Sequence, residues 1–194
     1  MPPSEPIGAL PRLESADLSA RWMTENDLDD LLTVWGDPEV MRFMARPPLA
    51  DRDEARDFLG GIRSGFETKT LYQWGLVLPD HDRVVGTCTL AGLDWHNRRC
   101  EIGFALAKAY WRRGLARKGV SLVLEHAFRD LELHRIEADV DPENAGSLRL
   151  LERLGFRREG LMRQRYLEQG EFQDSVFLGL LRHEWRPSGN AENS

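Results

Sequence analysis

Apolar positions along the chain change period several times, and each change marks an expected element. Residues 18–22 are expected as a first strand. Thr24 is placed as an N-cap with Asp27 three residues on, and Leu28, Leu31, Leu32 and Trp35 follow at helical spacing until Gly36-Asp37-Pro38 stops them. Asp51 is placed to cap a second helix carrying Ala55, Phe58, Leu59 and Ile62. Residues 72–78 and 84–90 predict a hairpin across Pro79-Asp80-His81-Asp82, with Gly86 marking a bulge or a close backbone approach. Residues 100–106 predict the next strand, then a basic loop, then a helix over about 115–129. That helix has an apolar stripe of Val120, Val123, Leu124, Ala127 and Leu131, with Arg117, Ser121, Glu125 and Arg129 on its other side. In residues 135–140, Ile136, Ala138 and Val140 face one way and Arg135, Glu137 and Asp139 the other. Asn144 is placed to cap a helix with Leu148, Leu151 and Leu154, and Gly155 falls where a left-handed residue ends one. Residues 161–168 and 171–181 predict a long hairpin around Gln169-Gly170. A strand, two helices and then strands with two helices inserted imply an α+β fold with one mixed sheet, not a doubly wound one.

Composition narrows this picture only in part. A chain of 194 residues suits one well-buried domain. It is expected over residues 17–186, between a flexible proline-rich arm at 1–16 and a disordered tail at 187–194. The net charge of −6 speaks against a broad basic surface for direct nucleic-acid contact and is compatible with a cationic partner such as an amine. The two cysteines, Cys88 and Cys100, show no CxxC and no metal-ligand spacing, so no metal and buried free thiols are expected. The first residues lack a basic start with an apolar core, and no apolar run would cross a bilayer, so a cytoplasmic protein without a membrane partner is expected.

The basic loop is the first candidate for chemistry. Gly114 lets the loop close tightly, and the first-turn N–H groups of the following helix have no intrahelical acceptors. Arg112, Arg113 and Arg117 add charge-assisted donors, so the segment is an anion site, or else a surface helix with a basic first turn. It matches neither GxxxxGK[ST] nor GxGxxG with a later acidic residue. In the preceding strand Ile102, Phe104 and Leu106 are bulky, whereas Gly103 and Ala105 leave room on the opposite face for something thin. Glu101 shares that face. It is either a base at the end of the groove or a strand-end charge paired with Arg98 or Arg99.

Several segments together resemble the GNAT superfamily of acetyl-CoA-dependent N-acetyltransferases, in particular its RimJ/RimL-like branch, which acetylates ribosomal-protein N-termini. Trp22-Met23-Thr24-Glu25-Asn26-Asp27-Leu28 and Trp35-Gly36-Asp37-Pro38-Glu39-Val40-Met41 are similar to that branch's opening. Glu101-Ile102-Gly103-Phe104 followed by Trp111-Arg112-Arg113-Gly114-Leu115-Ala116 is similar to its cofactor motif. His134-Arg135-Ile136-Glu137-Ala138 and Asn144-Ala145-Gly146-Ser147 with Leu154-Gly155-Phe156 are similar to its second motif. The resemblance implies a mostly antiparallel central sheet flanked by helices, with two strands splayed at the cofactor site. It implies that the pantetheine arm of acetyl-CoA lies along Phe104, Ala105 and Leu106. The pyrophosphate would sit on Arg112, Arg113, Gly114, Leu115, Ala116 and Arg117, with Asn144 and Ser147 near the thiol end. It further implies direct attack of a neutral amine on the thioester, with Glu101 matching the base and Ser147 the nearest hydroxyl for the acid. The family pattern begins its loop with Gln or Arg where Trp111 stands here. The tyrosine that many members use as acid is replaced by Leu151.

An α-amine of pKa near 7.7–8.0 is roughly a tenth neutral at pH 7, and a lysine near 10.4 under about one part in a thousand, so a weak base suits N-termini better. The pKa comparison does not by itself identify the acceptor; the resemblance implies a protein or peptide N-terminus, such as that of a ribosomal protein. A small amine (polyamine, amino-acid derivative or aminoglycoside) or a silent acetyl-CoA sensor are the alternatives, in a monomer or homodimer. The acceptor pocket is expected from the loop after Met41, the Trp95-His96-Asn97 loop and the hairpin at Tyr166.

Overall fold

The computed structural model describes residues 8–168 and 170–187. Its strands are β1 (Leu13–Glu14), β2 (Ser19–Arg21), β3 (Leu71–Leu78), β4 (His81–Asp94), β5 (Arg99–Leu106), β6 (Arg135–Val140), β7 (Arg157–Glu168) and β8 (Glu171–Leu181). Its helices are α1 (Leu28–Trp35), α2 (Pro38–Met41), α3 (Arg52–Glu67), α4 (Leu115–Arg129) and α5 (Ala145–Arg153). The strands share one sheet in the order β1-β2-β3-β4-β5-β6-β8-β7, with only β5 and β6 parallel. This is the mixed, mostly antiparallel α+β arrangement that the resemblance implies.

Local chemistry explains where the helices begin. The Thr24 side chain accepts from the Asn26 N–H, and the Thr24 N–H donates to Asp27 at 2.7 Å, which nucleates a 3-10 turn over Glu25–Asp27 before α1. Asp51 accepts from the Asp53 and Glu54 N–H groups at 2.9 Å each and so starts α3. Gly36-Asp37-Pro38 does end α1, but it also starts a helix. Asp37 caps the short α2, whose first residue is Pro38, a position where a missing N–H is harmless.

Two cores lie on opposite faces of the sheet. On one, the α4 stripe (Val120, Val123, Leu124, Ala127), Leu148 and Leu151 from α5 and Leu154 just after it pack on Ile102, Leu106, Ile136 and Trp74. On the other, Leu28, Leu31, Leu59 and Ile62 from α1 and α3 pack with Val77, Val84 and Ala105. Each fully buried leucine here contributes about 2 kcal/mol of transfer free energy. Cys88 and Cys100 are both free and buried in the first core, where desolvation holds both thiols far above their ordinary pKa.

Some boundaries differ from the sequence pattern. β4 begins at His81, so the β3–β4 turn is shorter than expected. Of the expected arm and tail, residues 1–7 and 188–194 lie outside the described residues, as does Gln169. The arm's described part packs down: Leu10 is buried, Leu13–Glu14 pairs with β2, and the Trp74 indole donates to the Pro11 carbonyl at 3.0 Å. In the last hairpin Met162 pairs with Ser175 and Tyr166 with Gln173, so residues 163–165 oppose Asp174 alone. Gln164 takes a left-handed φ of 53°, and its N–H donates to Asp174 at 2.8 Å. No helix among the described residues is long and apolar enough to cross a membrane.

Candidate active site

Strands β5 and β6 pair at Arg99–Arg135, Cys100–Ile136 and Glu101–Glu137. Beyond Glu101 no pairing joins them among the described residues, although β5 runs on to Leu106 and β6 to Val140. On its other edge β5 stays registered with β4 as far as Leu106–Gly86. The strands therefore part like a V, and the β6-facing backbone of β5 lacks the partner that an interior strand normally has. Gly86 holds the closed side together. A Cβ there would lie 2.5 Å from the Ala105 carbonyl oxygen, so only glycine allows β4 to approach this closely. A Cβ at Gly103 would meet nothing within 4 Å, so the small-residue face is open there, whereas Ala105 on the same face is buried in the second core.

A cavity of about 590 Å³ opens from this V. Phe104, Ala105 and Leu106 form its strand side, and Arg112, Gly114, Leu115, Ala116 and Arg117 its loop side. Asn144, Gly146 and Ser147 close it from the start of α5, and Phe43 and Met44, after α2, form the opposite wall. The Asn144 side-chain oxygen accepts from the Ser147 N–H at 3.1 Å, so its carboxamide is fixed by capping α5. Arg149 and Arg153, one helical turn apart on α5, also line the cavity. They were not among the residues singled out from the sequence.

The loop is built for an anion. Arg112 and Gly114 have left-handed φ of 61° and 73°, which turns successive N–H groups inward, and α4 starts with no side-chain cap and no acidic residue in its first turn. Its first-turn donors are left for a ligand. The Trp111 indole N–H donates to the Leu106 carbonyl at 2.6 Å and ties the loop to the end of β5. Arg113 is not among the cavity-lining residues; its guanidinium lies 5.4 Å from the Tyr110 ring centroid. Arginines, inward N–H groups and an open strand edge together fit a diphosphate carrying an extended amide-containing arm.

Glu101 stands apart from this lining, at the apex of the V. Glu101 remains exposed to solvent on one side; partial withdrawal from water raises its carboxyl pKa, Asp139 and Glu137 raise it further, and Arg165 opposes them. Tyr166 lies in the same charge cluster; burial, its hydrogen bond to Asp139 and the Glu101 charge push its phenol up to about 12. Leu151 is fully buried in the core, so no hydroxyl occupies that place on α5, and Ser147 is half-buried in the cavity wall. Of the expected acceptor pocket, the segment after Met41 lines the cavity, whereas the Trp95 loop and Tyr166 do not. The Trp95 indole donates to the Lys69 carbonyl at 2.8 Å and its ring packs on Tyr72.

The sequence profile of the "Acetyltransferase (GNAT) domain" matches residues 17–157. The chain belongs to the GNAT acetyltransferase family. The N-acetyltransferase p20 of Bacillus licheniformis, named as uncharacterized, is 35% identical over 168 residues, which is 87% of this chain and 94% of that protein. The ribosomal protein uS5-alanine N-acetyltransferase of Escherichia coli is 27% identical over 156 residues, 75% of this chain and 79% of its own length. Among solved structures, spermidine N-acetyltransferase of Vibrio cholerae in complex with CoA and spermine superposes with a TM-score of 0.78 at 20% identity, over 88% of this chain and 98% of that one. This GNAT chain is thus an acetyl-CoA-dependent N-acetyltransferase on the RimJ/RimL-like side of the family, and the proteins it is similar to include a ribosomal-protein-alanine and a spermidine N-acetyltransferase.

Proposed function

We propose that this GNAT enzyme acetylates the α-amine of a peptide or protein N-terminus, with Glu101 as base. The observation that carries the reading is the V between β5 and β6: an arginine-lined cavity leads from it at one end, and a carboxyl of raised pKa stands at its apex. Arg112, Arg117 and the N–H groups from Gly114 to Ala116 hold the pyrophosphate, with Arg113 contributing charge. Phe104, Ala105 and Leu106 bind the pantetheine arm along their backbone, and Asn144 and Ser147 flank its thiol end.

Acetyl-CoA supplies the thioester. The new N–C bond forms as the C–S bond breaks, the amine proton passes to Glu101, directly or through water, and the leaving thiolate takes a proton from solvent or from the Ser147 hydroxyl. The uS5-alanine relative supports an N-terminal α-amine, and the α-amine's lower pKa suits a weakly basic carboxylate. A small polyamine is the second reading, favoured by the acidic Glu101, Glu137 and Asp139 around the apex of the V and by the spermidine enzyme's similar fold.

An acceptor panel tests this, with peptides beginning in alanine or serine beside spermidine and an aminoglycoside and thiol release as the signal. The expected result is turnover of peptides at least tenfold above the small amines. In Glu101→Gln, kcat should fall about a hundredfold while the CoA dissociation constant stays put. Unchanged kcat would remove Glu101 from the chemistry, and preference for spermidine would replace the acceptor class.

A further inference from the structure

The reaction as described assigns nothing to Asp139, yet three donors converge on it. Its side chain is 2% exposed and lies on β6, two residues beyond the last pairing with β5. It accepts from the Tyr166 hydroxyl at 2.7 Å, from Arg165 Nε at 3.2 Å and from the Ser175 hydroxyl. Arg165 and Tyr166 are consecutive, and in a regular strand they would point to opposite faces. The bulge at residues 163–165, pinned by the Gln164–Asp174 bond, lets both reach one carboxylate. The Arg165 guanidinium also lies 5.5 Å from the Tyr166 ring centroid, which fixes that ring in place.

The direction of the Tyr166 bond decides what the phenol can do. A hydroxyl has one proton to donate, and here Asp139 takes it. Glu137 pairs with Glu101 across the two strands and Asp139, two residues on, shares its face, so the phenol oxygen offers only lone pairs to anything arriving on the Glu101 side.

We propose that Tyr166, held by Asp139, accepts one N–H of the incoming amine while Glu101 accepts the other, so that Tyr166 binds the acceptor and Asp139 is its positioning residue. The inference rests on the acetyl-transfer reading above. A neutral primary amine has two N–H bonds and one lone pair. Two acceptors engage both bonds and leave the lone pair free for the thioester carbonyl, which is the orientation attack needs. Tyr166 neither gains nor loses a proton in the step. A secondary amine has one N–H, cannot satisfy both acceptors, and is selected against.

Alaninamide and N-methylalaninamide are the probes. Tyr166→Phe removes one oxygen and should raise the KM for alaninamide about tenfold, the worth of one good hydrogen bond, with the KM for acetyl-CoA unchanged. The wild-type preference for alaninamide over its N-methyl form should shrink by a similar factor. An unchanged alaninamide KM, or an unchanged preference, overturns the proposal.

A second readout needs no turnover. With isotope-labelled tyrosine, the Tyr166 ring resonance should titrate near 12 and move part of the way down in Asp139→Asn, burial keeping the remainder of the shift. If it does not move, Asp139 does not hold the phenol. Should that variant fail to fold, the Tyr166→Phe preference decides alone. In the CoA-saturated protein, alaninamide should shift the same resonance and leave that of Tyr72 in place. If spermidine alone shifts it, the acceptor class is wrong; if neither does, the role of Tyr166 is wrong. Loss of the amine preference in Tyr166→Phe with normal kcat in Glu101→Gln would instead overturn the base.

Discussion

At Glu101 the surroundings favour the protonated carboxyl, first by withdrawal from water and then through Asp139 and Glu137, against Arg165. A carboxyl whose pKa is raised on folding binds its proton more tightly in the native state. It therefore costs nothing at low pH and lowers stability as pH rises above its unfolded value, near 4.3. Glu101→Gln should accordingly raise Tm at pH 7 while kcat falls, and the gain in Tm should vanish when both proteins are melted below about pH 4. The same protonation makes the wild-type rate climb with pH across the raised pKa, a limb that the glutamine variant should lack. Trp111 offers a second test at this scale. Trp111→Phe keeps the ring but removes the donor to the Leu106 carbonyl, at a cost of about 1 kcal/mol. Calorimetry should show CoA binding several-fold weaker, since the loop is then no longer tied to β5; unchanged affinity would mean that the tie is ornamental.

Among the elements, the β4–β5 pair controls the shape of the V. Gly86→Ala would place a methyl 2.5 Å from the Ala105 carbonyl oxygen and 2.8 Å from Leu106, which must push β5 outward. A loss of about 2 kcal/mol in chemical unfolding is expected, together with weaker CoA binding. Gly114→Ala differs in kind: there is room for the methyl, but a φ of 73° strains it, so about 1 kcal/mol is expected.

These elements also show what could be read from the chain alone. Helix α4 and the tight loop before it were legible because a glycine and an apolar 3.6-residue period are both local. Strand β6 was legible because its alternation is strict. The two-residue β1 is too short to carry a pattern, and α2 was hidden because Gly-Asp-Pro signals a stop and a start equally well. The bulge at residues 163–165 left no trace, since Arg-Gln-Arg is polar on whichever face it falls. Arg149 and Arg153 become cavity residues only through the tertiary placement of α5 against the loop, which no local period encodes.

For the whole molecule, the cavity draws on β5, the loop before α4, α5 and the segment after α2, which are far apart in sequence. A ligand bridging them should stabilise the native state globally. At a hundred times its dissociation constant, CoA should add about 2.7 kcal/mol, or roughly 5–10 °C in Tm for a chain of this length. No shift in a thermal melt would count against the cavity as its site. Arg149→Ala with Arg153→Ala should weaken CoA binding more than Arg113→Ala does, because the α5 pair lines the cavity and Arg113 stacks on Tyr110. The last hairpin divides by burial: Val176 and Leu178 are core, whereas Leu161, Leu167 and Phe172 are more than half exposed.

The two buried cysteines have a practical corollary. A thiolate is the species that attacks a disulfide dye, and Cys88 and Cys100 are both sealed from solvent and held as neutral thiols. The native protein should therefore be colourless to such a dye, and colour during turnover should report CoA alone. On denaturation the same dye should register two equivalents per chain, so that one reagent reports both catalysis and the opening of the first core.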